Sequence, residues 1–236
     1  MVLHLLVKSL RLKNKPLAIK QPVQLWFSNV GQASYDCEQA TIKELSESES
    51  KRFKTLRSKK KQQEYLLSRG LMRHALTEYF DDNEQHWQFT EQENDKPKIS
   101  SLPPNTYYSL SHSHGLICFA IASSPIGIDV ESHTKKRNIP ELAKMIMTKE
   151  ELATFQQNKD HQNQNFYQIW TAKEAYYKAL SSQQQQTNTL FSLSIPNLIA
   201  DPDWSLSHHL FKQFTLAIVS QSPTLKTDKH YYLFAD

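Results

Sequence analysis

The sequence predicts an α+β fold in one compact unit, and three observations carry that expectation. Apolar residues recur at helical spacing over Leu45 to Phe80 and again between Ile139 and Leu180. Short extended runs bounded by Pro, Ser and Gly lie between and after these stretches. No Pro- or Gly-rich linker divides the 236 residues, so helices and strands come in blocks around one core.

In chain order, Gln24 to Val30 (QLWFSNV) reads as a short strand. The helical stretch Leu45 to Phe80 ends in Tyr65, Leu66, Leu71, Met72, Leu76, Tyr79 and Phe80. From His86 the pattern changes to extended pieces: Trp87 to Phe89, Tyr107 to Leu110, Leu116 to Ala122 and Ile126 to Glu131. Helix returns over Ile139 to Met147, where Pro140 suits an early helical position, and over Lys149 to Phe155 and Asn163 to Leu180. Gln183 to Gln186 reads as an exposed loop. Strands are expected over Phe191 to Ile195, Ser205 to Phe211, Phe214 to Val219 and Tyr231 to Phe234. Tyr108 to Ser123 and Trp204 to Ser220 share SLSH followed by a second apolar run, which fits an internal duplication and fits equally two unrelated hairpins.

Composition narrows the class. With 39% hydrophobic and 22% charged residues the chain reads as an ordinary soluble protein. Formal net charge is +4, and Lys51 to Lys61 concentrates seven Lys or Arg with no acid, a pattern that suits phosphates or an acidic partner as well as a solvated helix face. Two distant cysteines, Cys37 and Cys118, predict neither a disulfide framework nor a zinc site, and a reducing, cytoplasmic setting follows. Val2 to Leu12 is short, interrupted by charge and without a small-residue cleavage site, so neither export nor a membrane span is expected.

Three segments carry chemistry. In IGIDVE, strand alternation puts Ile126, Ile128 and Val130 on one face and Gly127, Asp129 and Glu131 on the other. Two carboxylates side by side repel unless a cation lies between them, and two such oxygens together with phosphate and water suit Mg²⁺; Gly127 leaves room for a ligand. The same D-x-E pattern also describes acids on a solvent-facing strand. In WTAKEAYYKAL, Lys173 falls inside the apolar stripe of its helix and must snorkel or meet an anion, while Glu174 and Lys178 lie one turn apart at the stripe's edge. Glu174 and Lys178 read equally as a surface i,i+4 pair. In SLSHSH, the hydroxyls of Ser111 and Ser113 with His112 offer donors to phosphate oxygens, and a strand-end turn explains them as well.

In this order, SLSHS, GIDVE and WTAKEAYYKAL resemble the signature of the 4'-phosphopantetheinyl transferases of the larger, single-chain pseudodimeric, surfactin-synthetase-activating type. That family's motifs are G-I/V-D-x-E and W-x-x-K-E-A/S-x-x-K, matched here at every defined position. The resemblance implies two similar half-domains, residues 1–122 and 123–236, each a small antiparallel sheet on a long helix, related by a pseudo-twofold with the metal site at their interface. It implies an enzyme that transfers the 4'-phosphopantetheine of coenzyme A to a serine of an acidic apo acyl or peptidyl carrier protein, releasing 3',5'-ADP with Mg²⁺ as cofactor. By motif position Asp129, Glu131 and Glu174 would hold the metal, Glu174 would be the general base, and Lys178 would stabilise or protonate the leaving group and bind phosphate. Ser111, His112 and Lys173 would contact the phosphates of coenzyme A. NDKP at Asn94 to Pro97 stands where the family has G-K-P, which makes Lys96 and Pro97 coenzyme ligands and leaves Asp95 out. Arg69, in a basic region with Lys51, Arg52 and Arg73, is the candidate for the 3'-phosphate. A duplicated fold further implies a monomer, with no nucleic acid or membrane partner.

Two rivals remain at this stage. A metal-dependent nuclease or phosphodiesterase would also use acids on a strand with a nearby lysine and a basic run, although the Glu-Lys pair here falls on a helix. A non-catalytic module could hold an acidic helical protein by its basic face.

Overall fold

The computed structural model describes residues 22–82, 86–92, 96–134 and 136–232. The segment Val2 to Leu12, and Asn94 with Asp95 of NDKP, lie outside them. The first strand, β1 (Val23–Asn29), is followed by three helices, α1 (Tyr35–Glu44), α2 (Glu47–Thr55) and α3 (Lys59–Phe80). Thus the expected helical stretch begins earlier and is interrupted twice. Ser34 caps α1 at the Cys37 N–H, and Ser46 with Glu49 forms a reciprocal capping box that starts α2 afresh.

Short strands β2 (Phe89–Thr90) and β3 (Lys98–Ile99) pair with each other, and β4 (Tyr107–Ser113), β5 (Leu116–Ala122) and β6 (Ile126–Ser132) follow. Next come α4 (Ile139–Ile146), α5 (Lys149–Gln157), α6 (Gln162–Ala179), α7 (Ser182–Thr187) and α8 (Ile195–Ala200), then β7 (Ser205–Phe211), β8 (Phe214–Ser220) and β9 (Thr227–Tyr231). Three expectations fail here. The last strand ends at Tyr231, where the expected one began, and Leu233 and Phe234 of that expected strand lie outside the described residues. The glutamine run is helical because Ser181 and Gln184 make another capping box. Phe191 to Ile195 is not a strand: turn bonds of Thr189 and Ser192 bend it, and Ser194 caps α8 with Pro196 in its first turn.

The expected α+β class is what the chain adopts. One sheet has the order β4-β5-β1-β9 and a second the order β6-β8-β7; all pairings are antiparallel except that of β1 with β9. On its outer face the first sheet buries Trp26, Ile117, Phe119 and Ile121 under Leu67, Leu71, Met72 and Leu76 of α3. Its inner face, with Leu25, Phe27, Cys118 and Ala120, meets Ile126, Ile128, Val130, Leu216 and Ile218 of the second sheet. Helix α6 closes the far side, packing Ala172, Ala175 and Ala179 on Ala217 and Val219. Period-2 alternation thus gives each sheet two apolar faces, and the layers run helix, sheet, sheet, helix. Both SLSH segments prove to be antiparallel hairpins, β4-β5 and β7-β8. Among the described residues no helix is long and apolar enough to cross a membrane.

Candidate active site

Strand β6 and helix α6 form the floor of the candidate site because a glycine lets them touch. A Cβ added to Gly127 would fall 1.8 Å from the Ala175 carbonyl oxygen and 2.7 Å from the Ala179 nitrogen. Gly127 therefore admits the helix backbone, not a ligand as its position in the motif had implied. With the helix seated so closely, residues of α6 one turn apart reach the acids of β6.

Lys178 Nζ lies 2.7 Å from Asp129 Oδ1 and 3.3 Å from the Ile128 carbonyl. Ser111 Oγ donates to the same Asp129 oxygen at 2.9 Å. The other oxygen, Asp129 Oδ2, is buried with no partner among the described residues. Glu131, two residues on, accepts from Arg137 Nη2 at 2.7 Å and from Ser113 at 3.1 Å. The Arg137 guanidinium is held over the Trp170 ring, 4.8 Å from its centroid. Half-buried Glu174, on α6, has its pKa raised above the ordinary carboxylate range, first by desolvation and then by the Asp129 charge; Lys178 opposes the shift and Glu131 adds to it.

The arrangement is a set of three acids with insufficient neutralising charge and one orphaned oxygen. Among the described residues no three His, Cys, Asp or Glu side chains form a ready-made metal cage. Asp129 and Glu131 are occupied by Lys178 and Arg137. Even so, hard oxygen donors, a buried carboxylate oxygen without a partner and a carboxyl destabilised by its neighbours are features that a small divalent cation would relieve.

Other expected residues fall in different places. Ser111 and His112, expected to act as a pair, lie next to each other on β4, so their side chains leave opposite faces. Ser111 is buried against β6, whereas exposed His112 shares its face with Tyr108 and Leu110, which pack toward α3. The His112 pKa is lowered, chiefly by desolvation; Glu64 and Asp129 oppose this while Lys178 and Arg69 reinforce it. His112 thus lies exposed on the α3 side of β4, away from the face on which Ser111 meets Asp129. The single hydrogen of Ser111 is already committed to Asp129.

Lys173 is drawn inward. It is 1% exposed, pairs with Glu151 at 2.7 Å and donates to the carbonyls of Leu193 and Leu190. In place of the phosphate contact implied by its motif, it meets the anion that its place in the apolar stripe required. Arg69 is also buried, bonded to Glu91 at 2.6 Å and lying 4.4 Å from the Tyr65 ring centroid. Neighbouring Arg73 pairs with Glu49. Exposed Lys96 donates to the Tyr108 carbonyl and stacks on that ring, while buried Pro97 accepts from the Tyr108 hydroxyl. The structure therefore brings together Asp129, Glu131, Glu174 and Lys178, while His112 leaves the opposite face of β4. Lys173 and Arg69 are engaged by acids of their own.

Sequence reasoning missed Arg137, Glu91 and Glu151. Arg137 ends a basic run in the sequence six residues after Glu131, a signal hidden among Lys135 and Lys136. Glu151 was visible as the fourth residue of T-x-x-E, although a capping box explains it without reference to Lys173. Glu91 meets Arg69 across 22 residues, and no local pattern marks that contact.

Residues 125–231 match the family model described as the 4'-phosphopantetheinyl transferase superfamily. The chain is similar to 4'-phosphopantetheinyl transferase ffp of Bacillus subtilis, 35% identical over 115 residues, which is 48% of this chain and 50% of that protein. It is 31% identical over 147 residues to 4'-phosphopantetheinyl transferase Sfp of Bacillus subtilis (strain 168), covering 57% and 64% of the two chains. A third relative, 4'-phosphopantetheinyl transferase HetI of Nostoc sp. (strain PCC 7120), is 27% identical over 150 residues, 60% and 63% of the two. The matches thus span between half and two thirds of these relatives' own lengths.

Proposed function

We infer from the match of residues 125–231 to the family model of the 4'-phosphopantetheinyl transferase superfamily that this chain moves the phosphopantetheine arm of coenzyme A onto a serine of an apo carrier protein, releasing 3',5'-ADP. The observation that carries the inference from family to site is that Asp129, paired with Lys178, and Glu131 both lie within electrostatic reach of Glu174, with Asp129 Oδ2 buried and unpartnered among the described residues.

Asp129, Glu131 and Glu174 would hold Mg²⁺, which when bound offsets the charge of the coenzyme's diphosphate. Glu174 takes the proton of the carrier serine so that the hydroxyl oxygen attacks the β-phosphate. As that new P–O bond forms, the bond to the departing 3',5'-ADP breaks, and Lys178 supplies the positive charge where its phosphate develops negative charge. His112 and Lys96 offer donors along the coenzyme's path. The half-domains are read as residues 1–122 and 123–236, with the site at their seam.

All seven basic side chains between Lys51 and Lys61 are exposed, and α3 begins on Lys59, Lys60 and Lys61 with no acid in its first turn. That surface complements an acidic carrier. The test is direct. Purified protein incubated with coenzyme A, Mg²⁺ and an apo carrier should add one phosphopantetheine mass to the carrier serine. No mass gain across a panel of carriers, with cleavage of DNA or RNA instead, would sink the proposal in favour of a nuclease.

A further inference from the structure

Strand β6 pairs with β8 along one edge, so the N–H groups of its other edge need acceptors elsewhere. Three serines of β4 supply them. Ile128 N–H donates to Ser109 Oγ at 3.1 Å, Val130 N–H to Ser111 Oγ at 3.1 Å, and Ser132 N–H to Ser113 Oγ at 3.2 Å. Alternate residues of one strand meet alternate residues of the other with a constant offset, so hydroxyls take the place of a backbone ladder where the two sheets join.

Each hydroxyl keeps one hydrogen to give, and its destination depends on the residue before the N–H donor. For Ser111 that residue is Asp129, reached at 2.9 Å; for Ser113 it is Glu131, reached at 3.1 Å. For Ser109 it is Gly127, which has no side chain to receive it. Ser113 Oγ has one weaker neighbour besides, His114 Nδ1 at 3.5 Å.

We propose that Ser113 and Ser111 are positioning residues: a single hydroxyl on each fixes the register of β4 against β6 and sets the direction of the Glu131 or Asp129 carboxylate. This rests on the reading of the site as a magnesium-dependent transferase. Slipping the strands by one residue would replace the three serines by Leu110, His112 and His114, or in the other direction by Tyr108, Leu110 and His112, so register and carboxylate orientation are fixed together. Ser109 makes the register bond without touching an acid and is a built-in control.

The experiment measures manganese binding by electron paramagnetic resonance in the presence of coenzyme A, alongside Tm and the Mg²⁺ dependence of transfer. Ser113→Ala should weaken manganese binding about tenfold or more, the usual scale for losing a partner behind a metal ligand, and Ser113→Thr should restore it. Ser109→Ala should lower Tm while leaving manganese affinity as in the unmodified protein. Should Ser113→Ala fail to fold, the near-isosteric Ser113→Cys carries the comparison and should bind manganese more weakly than Ser113→Thr. Unchanged affinity in the Ser113 variants, or an equal loss in Ser109→Ala, overturns the positioning role. An unmodified protein that bound no manganese would overturn the transferase reading beneath it, and this proposal with it.

Discussion

Gly127 and Ala175 are in backbone contact: the place of a glycine Cβ is already taken by the Ala175 carbonyl oxygen, 1.8 Å from where that atom would lie. The obstacle is main chain, so no side chain can swing aside. Gly127→Ala should therefore lift α6 from β6 and cost at least ~3 kcal/mol, or roughly 6–12 °C in Tm for a chain of this size. Thermal and urea unfolding measure it. A variant within 1 °C of the parent would show that the strand-helix contact is looser than described.

Lys178 is the cation nearest the orphaned carboxylate. Lys178→Met keeps the stem and removes the charge, and it should lower the transfer rate about 10²- to 10³-fold, the scale for losing one stabilising donor at developing charge. Steady-state kinetics should show the loss in kcat more than in KM for coenzyme A. A pure KM effect would reduce Lys178 to a binding group.

Lys173 and Glu151 form an ion pair in the interior, and Glu151 also accepts the N–H groups of Thr148 and Ile195. Burial lowers the Lys173 pKa, with the Glu151 contact opposing the shift. Lys173→Ala strands a buried carboxylate and should cost about 3–5 kcal/mol in denaturant unfolding. Lys173→Met combined with Glu151→Gln should recover part of that. Loss of coenzyme affinity at undiminished stability would instead support the phosphate contact that its motif position implies.

Glu174 makes the metal-free protein sensitive to pH. Its folded pKa is raised, so it contributes stability that is full below the ordinary carboxylate range and is lost as pH rises through the elevated folded value. In chelator, the Tm of Glu174→Gln relative to the parent should therefore climb with pH across that window, and Mg²⁺ with coenzyme A should erase the gain. Transfer activity should be abolished in the variant while coenzyme A still binds. A difference in Tm that is flat with pH would show that repulsion among the acids is weak.

Much of the candidate site's geometry was legible because two simple periods generate it. Alternation along Ile126 to Glu131 separates the buried isoleucines from the acids, and helical spacing puts Glu174 and Lys178 on one edge of α6. What sequence leaves open is which atoms will be neighbours. A glycine that admits a helix looks like one that admits a ligand, and a lysine in an apolar stripe announces an anion without saying whether it is phosphate or Glu151. SLSHS shows the same limit, since its serines serve the neighbouring strand's N–H groups and its histidine faces the other way. The helical glutamine run and the turn at Thr189 to Ser192 were misread because caps, not composition, decide them.

Strand β1 sits between β5 and β9, so Gln24 is partnered on one side by Ile121 and on the other by Asp228. Neither neighbour is local in the chain. Topologies rich in such distant pairings close slowly, because a large loop must be organised before the contact rewards it. One edge of β1 can close once β5 has been made, but the other must wait, open to other chains, until β9, near the end of the described residues, has left the ribosome. Yield in a cell should depend on temperature and chaperone supply more steeply than thermal stability alone would indicate.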